Sequence, residues 1–329
     1  MIRSLSRTTE GELKMNIQVS EYSLAYQDSN NLLWVDIFSE PRDFSEEILL
    51  NTFKFHPLAV ADALEEIHIP KVDDWGEYLY LVVRAATPAE DIERQIETEE
   101  VDIFLGKNFI ITYHNQSLAA IDRIWEQYQK DDRHLRNGAT QILYNLIDEI
   151  ATDYLYLAEN IDEAIDTIED QLFNDPKPIL LEKIFSLKRD LLHLRRIIAP
   201  QREMVNKLAR GDYEIIESDS KIYFRDVYDH FLRLYDILEN LRDLTGSALE
   251  IYLSVVNNRM NNVMKTLTII TTLFMPISFL AGFFGMNFFE PVGTMGVWTG
   301  IFTFRLLIAV VILFPIGMYV WIRKRGWMQ

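Results

Sequence analysis

The sequence predicts an α+β membrane protein with an N-terminal α/β domain, a long helical stalk and two C-terminal transmembrane helices. Three observations carry this reading. Nearly all the charge lies in the first 265 residues, while the last 64 hold two long apolar runs. Residues 1 to about 135 alternate short apolar runs with turn-rich segments. From Gly138 onward, apolar residues recur at spacings of three and four. The 329 residues, 49% of them hydrophobic, suffice for two or three domains with ample core.

The α/β domain is expected over 1–135. Leu32–Phe38, Tyr78–Val83 and Phe109–Tyr113 read as buried strands, and Gly106-Lys107-Asn108 reads as a hairpin turn between Val101–Phe104 and the last of them. Helices are expected over Ser45–Phe53, Pro57–Glu66 and Ser117–Lys130. A helical hairpin follows over 136–218. Its first helix carries Ile142, Leu146, Ile150, Leu157, Ile161, Ile165, Ile168 and Leu172 and is stopped by Asn174-Asp175-Pro176. Its second starts at Pro178 and is expected to break or kink at Pro200. The stalk helix occupies 219–265 and runs without proline from Lys221 to Pro276. Continued to Asn287 it would be about 100 Å long at ~1.5 Å per residue. The first transmembrane helix is placed at 266–287, a loop at 288–300, the second at 301–322 and a basic tail at 323–329. Thr266 to Phe289 contains no charge, and Ile301 to Ile322 contains only Arg305, near its start. The second run is about 33 Å long at ~1.5 Å per residue, a full crossing.

Composition excludes several function classes. A net charge of −18, from 32 basic and 50 acidic side chains, speaks against nucleic acid as a partner. The absence of cysteine removes disulfides, thiolate nucleophiles, Cys-based zinc sites and iron–sulfur clusters. Six histidines are scattered and none forms a His-x-x-x-His pair. With no phosphate loop and no Ser-based elbow either, no enzyme is expected and no organic cofactor. Between Asn137 and Pro176 lie ten acids and no Lys or Arg. Asp162, Asp166 and Asp170 share one helical face, expected to be a solvated surface pairing with Lys188, Arg189, Arg195 and Arg196. The sharper reading is a carboxylate surface that collects hard cations.

Met1 to Lys14 has no apolar core, so no signal peptide is expected. Arg259 and Lys265 precede the first span, and Arg323, Lys324 and Arg325 follow the second. The connecting loop has no Lys or Arg and one acid, Glu290. The positive-inside rule therefore places both termini in the cytoplasm. Trp298, Trp321 and Trp327 suit interfacial positions.

On the first span, Asn261, Met264, Thr268, Thr271, Met275, Ser278, Gly282 and Gly285 form a stripe of small, polar or thioether residues with a period near 3.5. Two readings compete. Small residues let helices pack closely; alternatively, several copies of the stripe line a pore, which two spans per chain cannot enclose without a homo-oligomer. The stripe alone leaves both open.

Gly285-Met286-Asn287 follows Met275-Pro276-Ile277-Ser278-Phe279-Leu280-Ala281-Gly282 at the outer end of this span. Upstream stand Lys221-Ile222-Tyr223-Phe224-Arg225-Asp226-Val227-Tyr228-Asp229-His230 and Met264–Ile270, and the chain closes on the basic Arg323–Trp327. Together these segments resemble the CorA family of divalent-cation channels, whose signature is Gly-Met-Asn at this place. His56-Pro57-Leu58-Ala59 and Val101–Gly106 resemble it too. The resemblance implies a homopentameric funnel in the cell (inner) membrane, with five first spans lining the pore and five second spans outside them. It implies Mg²⁺ influx, with Co²⁺ and Ni²⁺ as secondary ions. Gly285, Met286 and Asn287 would form the selectivity site, Met264, Leu267 and Met275 the apolar constrictions, and Asn261 a polar ring at the inner entrance. Asp226, with Asp229 close by, would hold a regulatory Mg²⁺ between subunits, its partner acid sought at Glu90 and Asp91. The plainer reading of Asp226 is an ion pair within its own subunit.

The loop departs from the family pattern. It reads Asn287-Phe288-Phe289-Glu290-Pro291, with one acid, which weakens the attraction of cations to the mouth. A zinc-transporting relative is the first alternative; Met286 and a pore without His or Cys favour magnesium. A membrane-tethered cation sensor is the alternative of another class.

Overall fold

The computed structural model describes residues 1–8, 10–28, 31–65, 68–88, 96–285 and 300–325. They fall in two compact units, Met1–Tyr252 and Leu253–Gln329.

The first unit is built on a seven-stranded sheet of β1 (Ile2–Arg7), β2 (Leu13–Met15), β3 (Leu32–Phe38), β4 (Lys71–Asp74), β5 (Leu79–Pro88), β6 (Ile96–Leu105) and β7 (Phe109–His114), in the order β2-β1-β3-β7-β6-β5-β4. Among the described residues only β3 and β7 pair in parallel, with Leu33 opposite Phe109 and Phe38 opposite His114. Every residue of these two strands is buried. That explains why they read as continuous apolar runs: both sheet faces are covered. One face is closed by α1 (Val19–Gln27), α2 (Arg42–Glu47), a π-helical turn (Ile48–Thr52) and α3 (Pro57–Leu64), through Tyr22, Phe53, Phe55 and Val60. The other packs on α4 (Ala119–Lys130) and α5 (Gly138–Asn174), through Trp34, Ile103, Ile124, Trp125 and Leu146. The same core continues along α6 (Pro178–Arg210) and the first part of α7 (Lys221–Phe284). There Phe224, Val227, Phe231, Leu234, Leu238 and Leu241 are buried at spacings of three and four.

The expected hairpin turn is present: the Gly106 N–H donates to the Phe109 carbonyl at 2.9 Å. A Cβ on Gly106 would meet the Phe109 ring at 2.0 Å, so only glycine fits there. Four expectations need correction. The first helix begins at Arg42, behind Pro41, rather than at Ser45, and turns π-helical at Ile48. β1, β2 and β4 lie in segments too short or too polar to read as strands. α6 runs unbroken through Pro200, because Ile197, Ile198, Gln201 and Met204 hold one buried face on both sides of it. The pairing of Asp162, Asp166 and Asp170 with Lys188, Arg189, Arg195 and Arg196 is not formed among the described residues; Arg195 instead binds Glu239 of α7 at 2.8 Å.

A polar network sits inside the first unit. Asp36 on β3 is fully buried and accepts from Arg3 Nε at 2.8 Å, from Thr112 Oγ1 and from His114 Nε2 at 3.0 Å. Arg3 also reaches Asp122 on α4 at 2.6 Å and lies over the Trp125 ring. Burial alone would raise the Asp36 pKa; the His114 and Arg3 contacts outweigh it and hold the carboxyl below its ordinary value.

The second unit contains the C-terminal part of α7 and α8 (Ile301–Lys324). Both helices are long and apolar enough to cross a membrane. Partly covered positions recur along one face of each: Lys265, Ile269, Leu273, Pro276, Ile277 and Leu280 on α7, and Leu307, Val311, Pro315, Met318 and Ile322 on α8. Apart from Val255 and Gly300, the other residues of this unit whose burial is described are exposed.

Because the folded-state pKa of Asp36 is depressed, its contribution to stability is present above the ordinary carboxylate range near pH 4 and is lost as pH falls through the folded value. Asp36→Ala is expected to cost about 3–5 kcal/mol at neutral pH, the usual price of an orphaned buried ion partner. Thermal unfolding in detergent should show this deficit at pH 7 and a narrowing gap below pH ~4.

Candidate functional site

The stripe on α7 is the first candidate. Asn261, Met264, Leu267, Thr268, Thr271, Met275, Ser278 and Gly282 are all exposed within the chain. At ~100° per residue the stripe centres roughly 150° from the covered face of the same helix. Two kinds of surface therefore share one helix: a partly covered, mainly apolar face, and an uncharged, partly polar face with no partner among the described residues. The threonine hydroxyls are turned inward. Thr268 Oγ1 donates to the Met264 carbonyl at 2.8 Å, and Thr271 Oγ1 donates to the Leu267 carbonyl at 2.9 Å. Each hydroxyl proton is thus used by the helix, and the oxygen lone pairs are what remains to face outward. Such a surface offers neutral oxygens and thioethers and no fixed charge.

Gly285 ends this helix, its N–H donating to the Ala281 carbonyl at 2.9 Å. A Cβ there would come within 3.0 Å of that same carbonyl, so a side chain at this position forces a local shift. Met286, Asn287 and Glu290 lie outside the described residues, as do Glu90 and Asp91.

The second candidate lies in the first unit, around Asp226 near the start of α7. Asp226 and Asp229 are exposed. The Tyr144 hydroxyl of α5 is a neighbour of Asp226, and Asp148, one turn further along α5, pairs with His230 Nδ1 at 2.9 Å. The Tyr144 ring lies 5.3 Å from that of Tyr223. Burial, then the carboxylates of Asp148 and Asp226, push the Tyr144 hydroxyl up to about 12, so it remains a donor across the working pH range. Tyr144, Asp148 and His230 were missed in the sequence. Spacing along one helix could not reveal them, because only the fold brings α5 beside α7.

The donors here are hard: two carboxylates and a phenolic oxygen, the set that suits Mg²⁺ or Ca²⁺ rather than a thiophilic metal. Among the described residues no group of three or more metal-ligating side chains gathers.

The chain is similar to known proteins along nearly its whole length. A profile described as CorA-like Mg²⁺ transporter protein matches residues 29–324. YfjQ of Bacillus subtilis, provisionally named a metal ion transporter, is 34% identical over 328 residues, covering 99% of this chain and 98% of its own. The cobalt/magnesium transport protein CorA of Thermotoga maritima is 33% identical over 309 residues, covering 94% and 87%. The complete structure of the CorA magnesium transporter from Methanocaldococcus jannaschii superposes with a TM-score of 0.82 at 23% identity, covering 99% and 98%, which establishes a shared fold.

The exposed stripe and the covered face differ in what they should meet in a bilayer, and a chain with no native cysteine makes the difference measurable. Thr271→Cys and Ser278→Cys should react with a charged, water-soluble thiol reagent at least about tenfold faster than Leu273→Cys and Leu280→Cys, since only a wetted face stabilises the thiolate that reacts. Equal, slow labelling of all four would mean that the stripe is a dry helix contact.

Proposed function

The chain belongs to the CorA-like Mg²⁺ transporter family, and from that premise we propose that it is a homopentameric channel for Mg²⁺, with Co²⁺ and Ni²⁺ as secondary ions, in the cytoplasmic membrane with both termini inside. The observation that carries the reading is the uncovered neutral stripe of α7, which ends at Gly285 on the side opposite the covered face. A second helix is all that one chain offers, so the stripe has to be closed by copies of itself around an axis.

Mg²⁺ dehydrates reluctantly and is best handled with its waters in place. A wall of hydroxyl lone pairs, amides and carbonyls can exchange hydrogen bonds with those waters without trapping the ion, whereas a ring of carboxylates inside a narrow pore would bind it too tightly to release. On this reading Asn287 amides and Gly285 carbonyls receive the hydrated ion at the outer mouth, with Met286 between them. Glu290 is the one acid of the loop that draws cations toward it. Met264, Leu267 and Met275 form apolar rings that close by dewetting, and Asn261 forms the polar inner ring. Flow is driven by the electrochemical gradient; the absence of any charged side chain between Thr266 and Phe289 offers no relay for a coupled proton.

Control is assigned to the acids near Asp226. Asp226, with Asp229 and Asp148 close by, would hold a cytoplasmic Mg²⁺ together with acids of a neighbouring subunit, for which Glu90 and Asp91 are the proposed source. The incomplete donor set within one chain supports a site shared between two. A bound divalent cation would supply positive charge between carboxylates that otherwise repel, favouring the closed arrangement; this chain's residues supply only hard oxygens.

Purified full-length protein in liposomes should take up Mg²⁺ saturably, and Asn287→Ala should reduce that uptake at least about tenfold while leaving the oligomer intact on size-exclusion chromatography, the loss of one selecting contact in each of several subunits. Zn²⁺ entry without Mg²⁺ entry would replace magnesium by zinc as the cargo. No entry of any divalent ion through intact oligomers, with and without internal Mg²⁺, would sink the channel reading.

A further inference from the structure

Beside its covered face, α8 carries an apolar groove of about 640 Å³ lined by Leu306, Val310, Leu313, Gly317 and Trp321, among others. Its floor is open at Gly317, where a Cβ would have nothing within 4 Å. The groove ends on charge. The Arg325 guanidinium lies 5.2 Å from the centre of the exposed Trp321 ring, and Arg323 and Lys324 stand exposed beside it. None of these three cations pairs with an acid among the described residues. Residues 253–329 hold six basic side chains and one acid, Glu290, while the other 252 residues hold 26 basic and 49 acidic.

We infer that this groove is a binding site for an anionic phospholipid, resting on the reading of α8 as a membrane span. The phosphate would be held by Arg325 and Lys324, and one acyl chain would run along Trp321, Gly317 and Leu313. A guanidinium resting on an indole at the end of a span keeps its donor fork turned outward, suited to a phosphodiester. One leaflet of hydrocarbon is about 15 Å deep, half of a ~30 Å core. At ~1.5 Å per residue that is about ten residues of α8, the stretch from Trp321 back past Leu313. A second copy of the hairpin is a poorer occupant of the basic end. In a cyclic oligomer every copy has the same orientation, so cations would meet cations there, and the only acid of the hairpin lies in the loop joining the two spans.

The test is native mass spectrometry of the full-length, delipidated oligomer in detergent, titrated separately with dioleoylphosphatidylglycerol and dioleoylphosphatidylcholine. The expected result is a preference for phosphatidylglycerol on the order of tenfold. Arg325→Ala combined with Lys324→Ala should abolish most of it, and Arg325→Lys should retain it. Gly317→Leu, which fills the groove, should lower the occupancy of both lipids. Equal binding of the two lipids by the wild type, or a preference unchanged in the double variant, would overturn the proposal. So would a Gly317→Leu protein that loses its oligomer while its lipid adducts stay the same, because the groove would then seat a second copy. Lipid binding is read without ion flux, so a protein that binds lipid as expected and passes no Mg²⁺ would count against the channel reading alone.

Discussion

The self-contained hydrogen bonding of the α7 backbone is the condition on which the rest of the hairpin depends. In hydrocarbon every peptide group needs a partner, and a helix supplies it internally. The side chains are then free to be sorted by face alone. On α7 that sorting gives Ile269, Leu273, Ile277 and Leu280 to the covered face and leaves Thr268, Thr271, Ser278 and Gly282 uncovered. The threonines obey the same rule in miniature, since each hydroxyl proton is bound to a carbonyl four residues back. Pro276 breaks it at one residue, removing one N–H, and stands on the covered face rather than on the stripe.

Charge is partitioned as sharply as polarity. The first unit is strongly acidic, and the hairpin is basic with a single acid. Within the first unit, acids that are buried are tied down. Asp36 is neutralised by Arg3 and His114, and Glu100 is held by the His68 backbone at 2.7 Å and its ring at 3.0 Å. Asp102 is an exception of another kind: burial pushes its carboxyl well above the ordinary range, and the Tyr80 hydroxyl lies 2.5 Å away. Other acids, including Asp162, Asp166, Asp170, Asp226 and Asp229, are exposed.

Legibility in the sequence followed the physics of each element. β3 and β7 were visible because burial on both faces leaves an uninterrupted apolar run. α5, α6 and α7 were visible because three- and four-residue spacing persists over many turns. β1, β2 and β4 were hidden, since edge and near-edge strands such as Leu13–Met15 and Lys71–Asp74 bury too little to leave a pattern. Pro200 misled because local propensity argued for a break, while the buried face from Ile197 to Met204 outweighed one missing hydrogen bond. Of the candidate sites, the stripe could be read from spacing on one helix. The surroundings of Asp226 could not, because Tyr144 and Asp148 come from an element about eighty residues away, and only the fold brings them together.

The Tyr144 hydroxyl bears on how strongly a cation could be held there. It stays protonated beside Asp226, so it is a neutral neighbour and brings no charge of its own. Asp148, on the same helix as Tyr144, is already paired with His230. A tight cation store would place several unpartnered acids within reach of one ion; here Asp148 is shared with a histidine, and no group of three ligating side chains gathers among the described residues. On the proposed reading that suits a sensor rather than a store, since a sensor's site has to empty when the ion becomes scarce.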